Sequence, residues 1–290
     1  MNTTLINAEG RVLAAIDPSS YAEGVAALAA WAASRLGVPL ELMHAIDRDA
    51  GGGKRDLSGM LALGTQEVLL AELTALDEER ARVTQAHGRA MLERLQAGLA
   101  GQPGAVQVTL GQRHGELVQT LLDIEDDVRL FVIGKRGEHA SVVTAHLGSN
   151  LERVVRAVRR PVLVASRRMR PIRRFMIAFD DSATTRKCVE MVALSPLLGG
   201  LECHLIAVGG KGGGAGLEWA RARLAEAGFE PRIHALPGDP EEVIAHQVEA
   251  LGIDLLVMGA YGHSRIRALI VGSTTTQLLR ACEIPMLLLR

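Results

Sequence analysis

The chain has 290 residues, 48% of them hydrophobic and 22% charged, with a formal net charge of −1 at pH 7. That length suits two domains as easily as one, and the composition can bury substantial cores. The charge balance excludes the basic excess that a general nucleic-acid or membrane-surface binder needs, and 3% aromatic residues leave few rings to stack on bases.

The opening segment, MNTTLINAEGRVLAAID, has neither a basic leader nor a sustained apolar stretch, so no signal peptide is read there. No apolar run approaches the length of a membrane span. Cys188, Cys203 and Cys282 are odd in number and form no C-x-x-C pair, which points to buried free thiols in a reducing compartment. The expected location is cytoplasmic.

Taken in order, the chain reads as one strand–helix pattern written twice. Arg11–Asp17 is an apolar strand ending in Asp, followed by Pro18-Ser19-Ser20 and an Ala-rich helix to about Leu36. Phe175–Asp180 also ends in Asp, followed by Asp181-Ser182 and a helix to about Leu198. Leu40–Ile46 and Leu201–Val208 are second strands; Val106–Leu110 and Arg232–Leu236 are third strands, with Gly115-Glu116 and Gly238-Asp239 opening third helices. Leu130–Gly134 and Leu255–Gly259 are fourth strands, Pro161–Ser166 and Pro285–Arg290 fifth strands.

Alternating strands and helices imply right-handed parallel units, and near-continuous apolar strands imply burial on both faces. The expected fold class is therefore α/β, with two tandem doubly wound parallel-sheet domains, 1–168 and 169–290. The basic stretch Arg167–Arg174 connects them and belongs in solvent.

The halves differ by one long segment of the first, about 48–104. Thr65–Leu99 has a helical composition with charges throughout, and Gly51-Gly52-Gly53-Lys54 reads as a flexible lead-in. Its apolar face has three readings: a second helix packed on its own sheet, a lid, or a partner-binding surface.

The most informative stretch is Leu255–Arg290. The strand breaks at Gly259, Gly262 follows, and nine residues later Gly272-Ser273-Thr274 opens a helix-period segment. Glycines let backbone N–H groups approach an anion, and a Gly-Ser-Thr helix start adds free amides, hydroxyls and the positive end of the dipole. No Gly-Lys-Ser/Thr makes it a Walker loop. The alternative is a glycine-rich turn with no ligand.

At these residues the chain resembles the universal stress protein family, whose nucleotide-binding members carry G-x2-G-x9-G-S/T; Gly259, Gly262, Gly272 and Ser273 match it. The resemblance implies a Rossmann-like fold of the adenine nucleotide alpha hydrolase type, with two copies forming a pseudo-dimer. It also implies that the fifth strands pair, Val162–Ala165 with Met286–Leu289, which removes two bare edges. A further homodimer of whole chains is left open.

It further implies ATP or a related adenine nucleotide as ligand, with Mg²⁺ as a companion of the phosphates. Asp180 would contact the nucleoside, or cap the following helix, or both. Ala207 would offer backbone hydrogen bonds to adenine. Met258, Gly259, Gly262 and His263 would line ribose and phosphates, and Gly272, Ser273, Thr274 and Thr275 would receive the phosphates. Arg265 could add charge.

The first half carries a weaker copy: Asp17, Ala45, Gly134, Gly137, Gly148, Ser149 and Asn150. Ten residues, not nine, separate Gly137 from Gly148, and Asn150 replaces a hydroxyl. Lys135 and Arg136 could compensate an anion there.

Gly210-x-Gly212-x-x-Ala215 imitates a dinucleotide fingerprint, but no acidic residue ends the next strand. His139, His146 and His204 lack metal-ligand spacing, and no nucleophile elbow is present. The function expected is a nucleotide-sensing or signalling module of the stress response, chiefly through its second domain. A non-nucleotide scaffold of the same fold is the alternative. An ATP-hydrolysing enzyme is less favoured, because no base or Walker lysine accompanies the cradle and no catalytic residue is assigned.

Overall fold

The computed structural model describes residues 7–46, 63–100, 106–137, 149–209, 214–260 and 273–290. The first half comprises β1 (Arg11–Ala15), α1 (Ala22–Leu36), β2 (Leu40–Ile46), α2 (Leu63–Leu99), β3 (Val108–His114), α3 (Leu117–Asp123), β4 (Val128–Gly134), α4 (Ser149–Ala157) and β5 (Val162–Ala165). The second comprises β6 (Arg174–Ala178), α5 (Ala183–Leu194), β7 (Glu202–Val208), α6 (Ala215–Glu226), β8 (Arg232–Leu236), α7 (Pro240–Ala250), β9 (Leu255–Gly259), α8 (Ser273–Ala281) and β10 (Met286–Leu289).

All ten strands join one sheet, in the order β3-β2-β1-β4-β5-β10-β9-β6-β7-β8. Each half has the same internal order. Pairing is parallel within each half and antiparallel where the fifth strands meet, with Leu163 opposite Leu287. The expected pairing of Val162–Ala165 with Met286–Leu289 is thus present. It joins the halves by backbone hydrogen bonds and leaves only β3 and β8 as edges.

The central strands are buried on both faces because helices cover both. Val12, Ala14, Leu163, Phe175, Ile177 and Leu287 face α1 and α5 in one apolar cluster. Leu13, Phe131, Val164, Met176, Leu256 and Met286 face α4, α7 and α8 in the other. Both clusters run through both halves, so each layer of core is shared across the junction.

Local sequence explains the helix limits. Gly37 ends α1 at φ 65, a left-handed conformation that glycine adopts without strain. Asp239 caps α7 by accepting from Glu241 N–H and Glu242 N–H, with Pro240 in the first turn. In the connector 167–174 only Ile172 is buried, and the arginines are exposed as expected. No helix among the described residues is long and apolar enough to cross a membrane.

Candidate functional site

A doubly wound sheet opens a crevice where its strand order reverses, at the carboxyl ends of the flanking strands. In the first half the reversal lies between β1 and β4, in the second between β6 and β9. Because β5 and β10 are antiparallel, the two crevices open at opposite ends of the sheet.

In the second half, Asp180 follows β6 directly into the crevice region. Its Oδ1 accepts from Ser182 N–H at 3.0 Å and from the Thr185 hydroxyl at 2.8 Å. The cap of α5 is Ser182, whose side chain accepts from Thr185 N–H at 3.2 Å. Asp180 closes a turn and is held in orientation; it is not itself the cap.

Next to it, Asp181 is the one non-glycine residue with positive φ among those described, at 62°. Asp tolerates that region better than most residues. Its carboxylate pairs with Arg186 at 2.6 Å, and the Arg186 guanidinium lies over the Trp219 ring, 4.5 Å from its centroid. Gly216, in the first turn of α6, presses on the same carboxylate: a Cβ there would meet Asp181 Oδ2 at 2.3 Å. Asp181, Arg186, Gly216 and Trp219 thus tie α5 to α6 beside Asp180. Sequence reading missed this cluster, since only Asp181 lies near the expected motif.

At the end of β9, Gly259 is required by packing. A Cβ at that position would lie 2.9 Å from Thr184 Cγ2. The Thr275 hydroxyl donates to the Gly259 carbonyl at 3.1 Å, fastening the first turn of α8 to the strand end. Ser273 begins α8, Thr274 is half-buried and Thr275 is buried. The Met258 side chain belongs to the core beneath. Ala207 lies beyond the last β6–β7 pair, Ala178–Ile206, and pairs with Ala235 of β8. Gly262, His263, Arg265 and Gly272 lie outside the described residues.

The first crevice repeats part of this. Asp17 Oδ1 accepts from Ser19 N–H at 3.2 Å. A Cβ on Gly134 would lie 3.0 Å from Tyr21 Cβ, the counterpart of the Gly259–Thr184 contact. Gly137 comes down onto Asp17, where a Cβ would meet Oδ2 at 3.0 Å. Ser149 begins α4 and Asn150 is exposed. Gly148, His139 and His146 lie outside the described residues.

The universal stress protein family model matches residues 10–166 and 206–290, most of both halves. This chain belongs to the universal stress protein family. It is 36% identical over 285 residues to universal stress protein Slr1230 of Synechocystis sp., which covers 96% of this chain and 99% of that one. It is also 26% identical over 74 residues to universal stress protein MJ0577 of Methanocaldococcus jannaschii, covering 26% of this chain and 46% of that one. Among solved structures, a universal stress protein from Archaeoglobus fulgidus DSM 4304 aligns with a TM-score of 0.65 at 18% identity, covering 96% of this chain and 98% of that chain. At that identity the likeness concerns the fold.

The two crevices of this universal stress protein are not equivalent. Strand register pairs Ala15 with Met43 and Ala178 with Ile206, so Asp17 corresponds to Asp180 and Met43 to Ile206. Ala207 therefore corresponds to His44, and Ala45 to Val208. The expected equivalence of Ala45 and Ala207 is off by one residue, and in a strand one residue changes the face. Ala207 accordingly sits in the α5 and α6 layer and Ala45 against the α3 and α4 layer.

His44 is buried, and its Nδ1–H donates to the Ile16 carbonyl at 2.8 Å, just beyond the end of β1. Gly88 of α2 lies on top of it, where a Cβ would meet His44 Cδ2 at 2.6 Å. In the first half an imidazole and α2 meet at this position; in the second, Ala207 is 4% exposed in the layer that holds Leu217 and Ala220 of α6.

Lys135 also departs from expectation. It does not point at an anion in its own loop: its side chain is 7% exposed and its Nζ donates to the Cys282 carbonyl, at the carboxyl end of α8. Burial lowers its pKa to about 8; the adjacent Cys282 and Glu283 oppose that shift and Arg136 adds to it. The charge is held against the negative end of the α8 dipole and joins the halves. Where the second half has Thr275, equivalent by the shared start of α4 and α8, the first has buried Leu151.

Away from both crevices, His204 is buried and lies 3.0 Å from His234, Nδ1 to Nε2, and 3.1 Å from Glu202. The ring planes differ by 4° and the centroids stand 5.2 Å apart, which fits an in-line N–H···N bond between nearly coplanar rings better than stacking. Arg232 holds Glu202 at 2.9 Å. Among the described residues no three His, Cys, Asp or Glu side chains converge as a metal site. The three thiols are buried, and burial pushes Cys203 up to about 12 and Cys188 higher still.

Proposed function

We propose that this universal stress protein binds ATP or a related adenine nucleotide in the β6–β9 crevice and acts as a nucleotide-sensing or signalling module. The observation that carries the reading is the juxtaposition there of an oriented carboxylate, Asp180, with Gly259 and the amino end of α8 at Ser273. A helix start with unpaired amides favours phosphate, while a carboxylate accepts from ribose hydroxyls or the adenine amino group. Ala207 offers backbone to the base. Met258, through its backbone, and Gly259, Gly262 and His263 line the ribose and phosphates, and Gly272, Ser273 and Thr274 receive the phosphates. Thr275 serves by holding α8 to the strand end. Mg²⁺ enters on the phosphates, with oxygen ligands drawn mainly from them and from water.

The first crevice is the weaker candidate. His44 and α2 occupy its base-side space, Gly137 leans on Asp17, and Lys135 is committed to Cys282. These observations favour a non-nucleotide, scaffolding role for the first half alone.

A calorimetric titration of nucleotide-stripped protein with ATP and Mg²⁺ tests the proposal. One site per chain is expected, lost in Gly272→Asp, which puts a carboxylate where phosphate belongs. Two sites mean that the first crevice is open to nucleotide. Absence of heat at two temperatures overturns the nucleotide reading in favour of the scaffold.

A further inference from the structure

The 37-residue α2 is far longer than its counterpart α6, of 12 residues, and among its residues with described side chains only the carboxyl part packs on the fold. Gly88, Met91, Leu92 and Leu95 are buried against the sheet and α1, whereas every residue from Glu72 to His87 whose side chain is described is exposed. Of the three readings of this segment, packing on its own sheet holds for the carboxyl part and not for the described side chains from Glu72 to His87. The stretch 72–87 is an arm standing off the globule. Among its described side chains, two large apolar ones stand in water, Leu76 at 60% and Val83 at 45% exposure.

The arm's charges are ordered along its length. Glu72, Asp77, Glu78 and Glu79 precede Arg80, Arg82 and Arg89, so the acidic and basic blocks meet between Glu79 and Arg80. Spacings of three and four place Glu72, Leu76, Glu79, Arg80, Val83 and His87 on one face. That face neighbours the one that Gly88, Met91 and Leu95 turn toward the globule, and does not coincide with it.

We infer that this face pairs with the same face of a second copy of the chain, the two arms running antiparallel about a twofold axis between Glu79 and Arg80. Such an axis sets Leu76 of each copy against Val83 of the other. It brings Glu79 to the partner arm's Arg80-bearing turn and Glu72 to its His87-bearing turn. Every apolar residue meets an apolar one and every acid a base. A parallel pairing would instead oppose Glu79 with Glu79 and Arg80 with Arg80, which is unfavourable. An isologous contact of this kind uses one patch twice and closes after two copies.

Sedimentation velocity of the full chain over a concentration series tests the inference. A monomer–dimer equilibrium is expected, weakened at least about tenfold by Leu76→Asp or Val83→Asp, since a central apolar contact carries a disproportionate share of a small interface. Glu79→Arg and Arg80→Glu should each weaken the dimer, and the double exchange in one chain should restore it. Oxidising an equal mixture of Leu76→Cys and Val83→Cys chains should give the mixed disulfide in preference to either symmetric one. A chain that stays monomeric throughout the series, a dimer indifferent to Leu76→Asp, or symmetric disulfides at either position would overturn the proposal.

Discussion

Lys135→Met isolates the buried charge that joins the two halves. The Lys135 amine titrates at about 8 against an ordinary 10.5. Below both values the amine is charged in folded and unfolded chains alike, and the folded state bears the penalty of burying it. At about 1.4 kcal/mol for each pH unit between the two values, that penalty is on the order of 3 kcal/mol at neutral pH. As pH rises from about 8 to 10.5 the folded state loses its proton first, so stability rises across that window. Methionine fills a similar volume without the charge but gives up the bond to the Cys282 carbonyl, worth roughly 1 kcal/mol. The variant should therefore be more stable than the parent by about 2 kcal/mol at pH 7 and slightly less stable above pH 10. Urea unfolding at several pH values measures this. Taking the difference between the two proteins cancels the contributions of Cys188 and Cys203, whose thiols ionise in this window only in the unfolded chain. Parallel stability profiles from pH 7 to pH 10.5 would refute the reasoning.

Two further changes probe other contacts. Gly259→Ala should destabilise the fold by roughly 1–3 kcal/mol, because its Cβ would lie 2.9 Å from a stiff Thr184 methyl; Thr184→Ala in the same chain should recover most of the loss in thermal unfolding, and no recovery would place the strain elsewhere. The His234 pKa is lowered by burial, with His204 and Arg232 adding to the shift. The unfolded chain then takes up the proton first as pH falls below about 6.5, so the stability tied to His234 is present above that value and lost below it. His234→Gln should flatten the fall between pH 6.5 and 5; an unchanged slope would assign it to other groups.

Much of the fold was legible in the sequence because apolar strands alternate with helix-period segments at repeated intervals. Leu40–Ile46, Arg232–Leu236 and Leu255–Gly259 coincide with β2, β8 and β9. β3 was the exception: the expected Val106–Leu110 runs as Val108–His114, where Gln112, Arg113 and His114 lack an apolar signal and are held by pairing with β2. Register was the harder quantity. Ala45 and Ala207 share a residue type and a neighbourhood, but the pairing of Met43 and Ile206 with β1 and β6 puts them on opposite faces. Local sequence does not encode cross-strand alignment to one residue. Nor could it show that Lys135, beside two glycines and an arginine, reaches across the junction to α8, since that contact spans 147 positions.

The differences between the halves share one physical origin. Duplicated crevices begin with equal demands on their lining residues, and any substitution that improves packing in one crevice makes ligand entry there harder. The two halves differ at several such positions. His44 stands for Ala207 and bonds to the Ile16 carbonyl; Gly88 lets α2 settle on that imidazole; Leu151 replaces the hydroxyl that Thr275 uses to fasten α8. His44 and Gly88 seat the carboxyl part of α2 on the sheet, on the face opposite the layer that holds Leu151. The half in which a histidine stands at the position of Ala207 is also the one with the elaborated helix. The two proposals assign the ligand to the second half and the partner to the first.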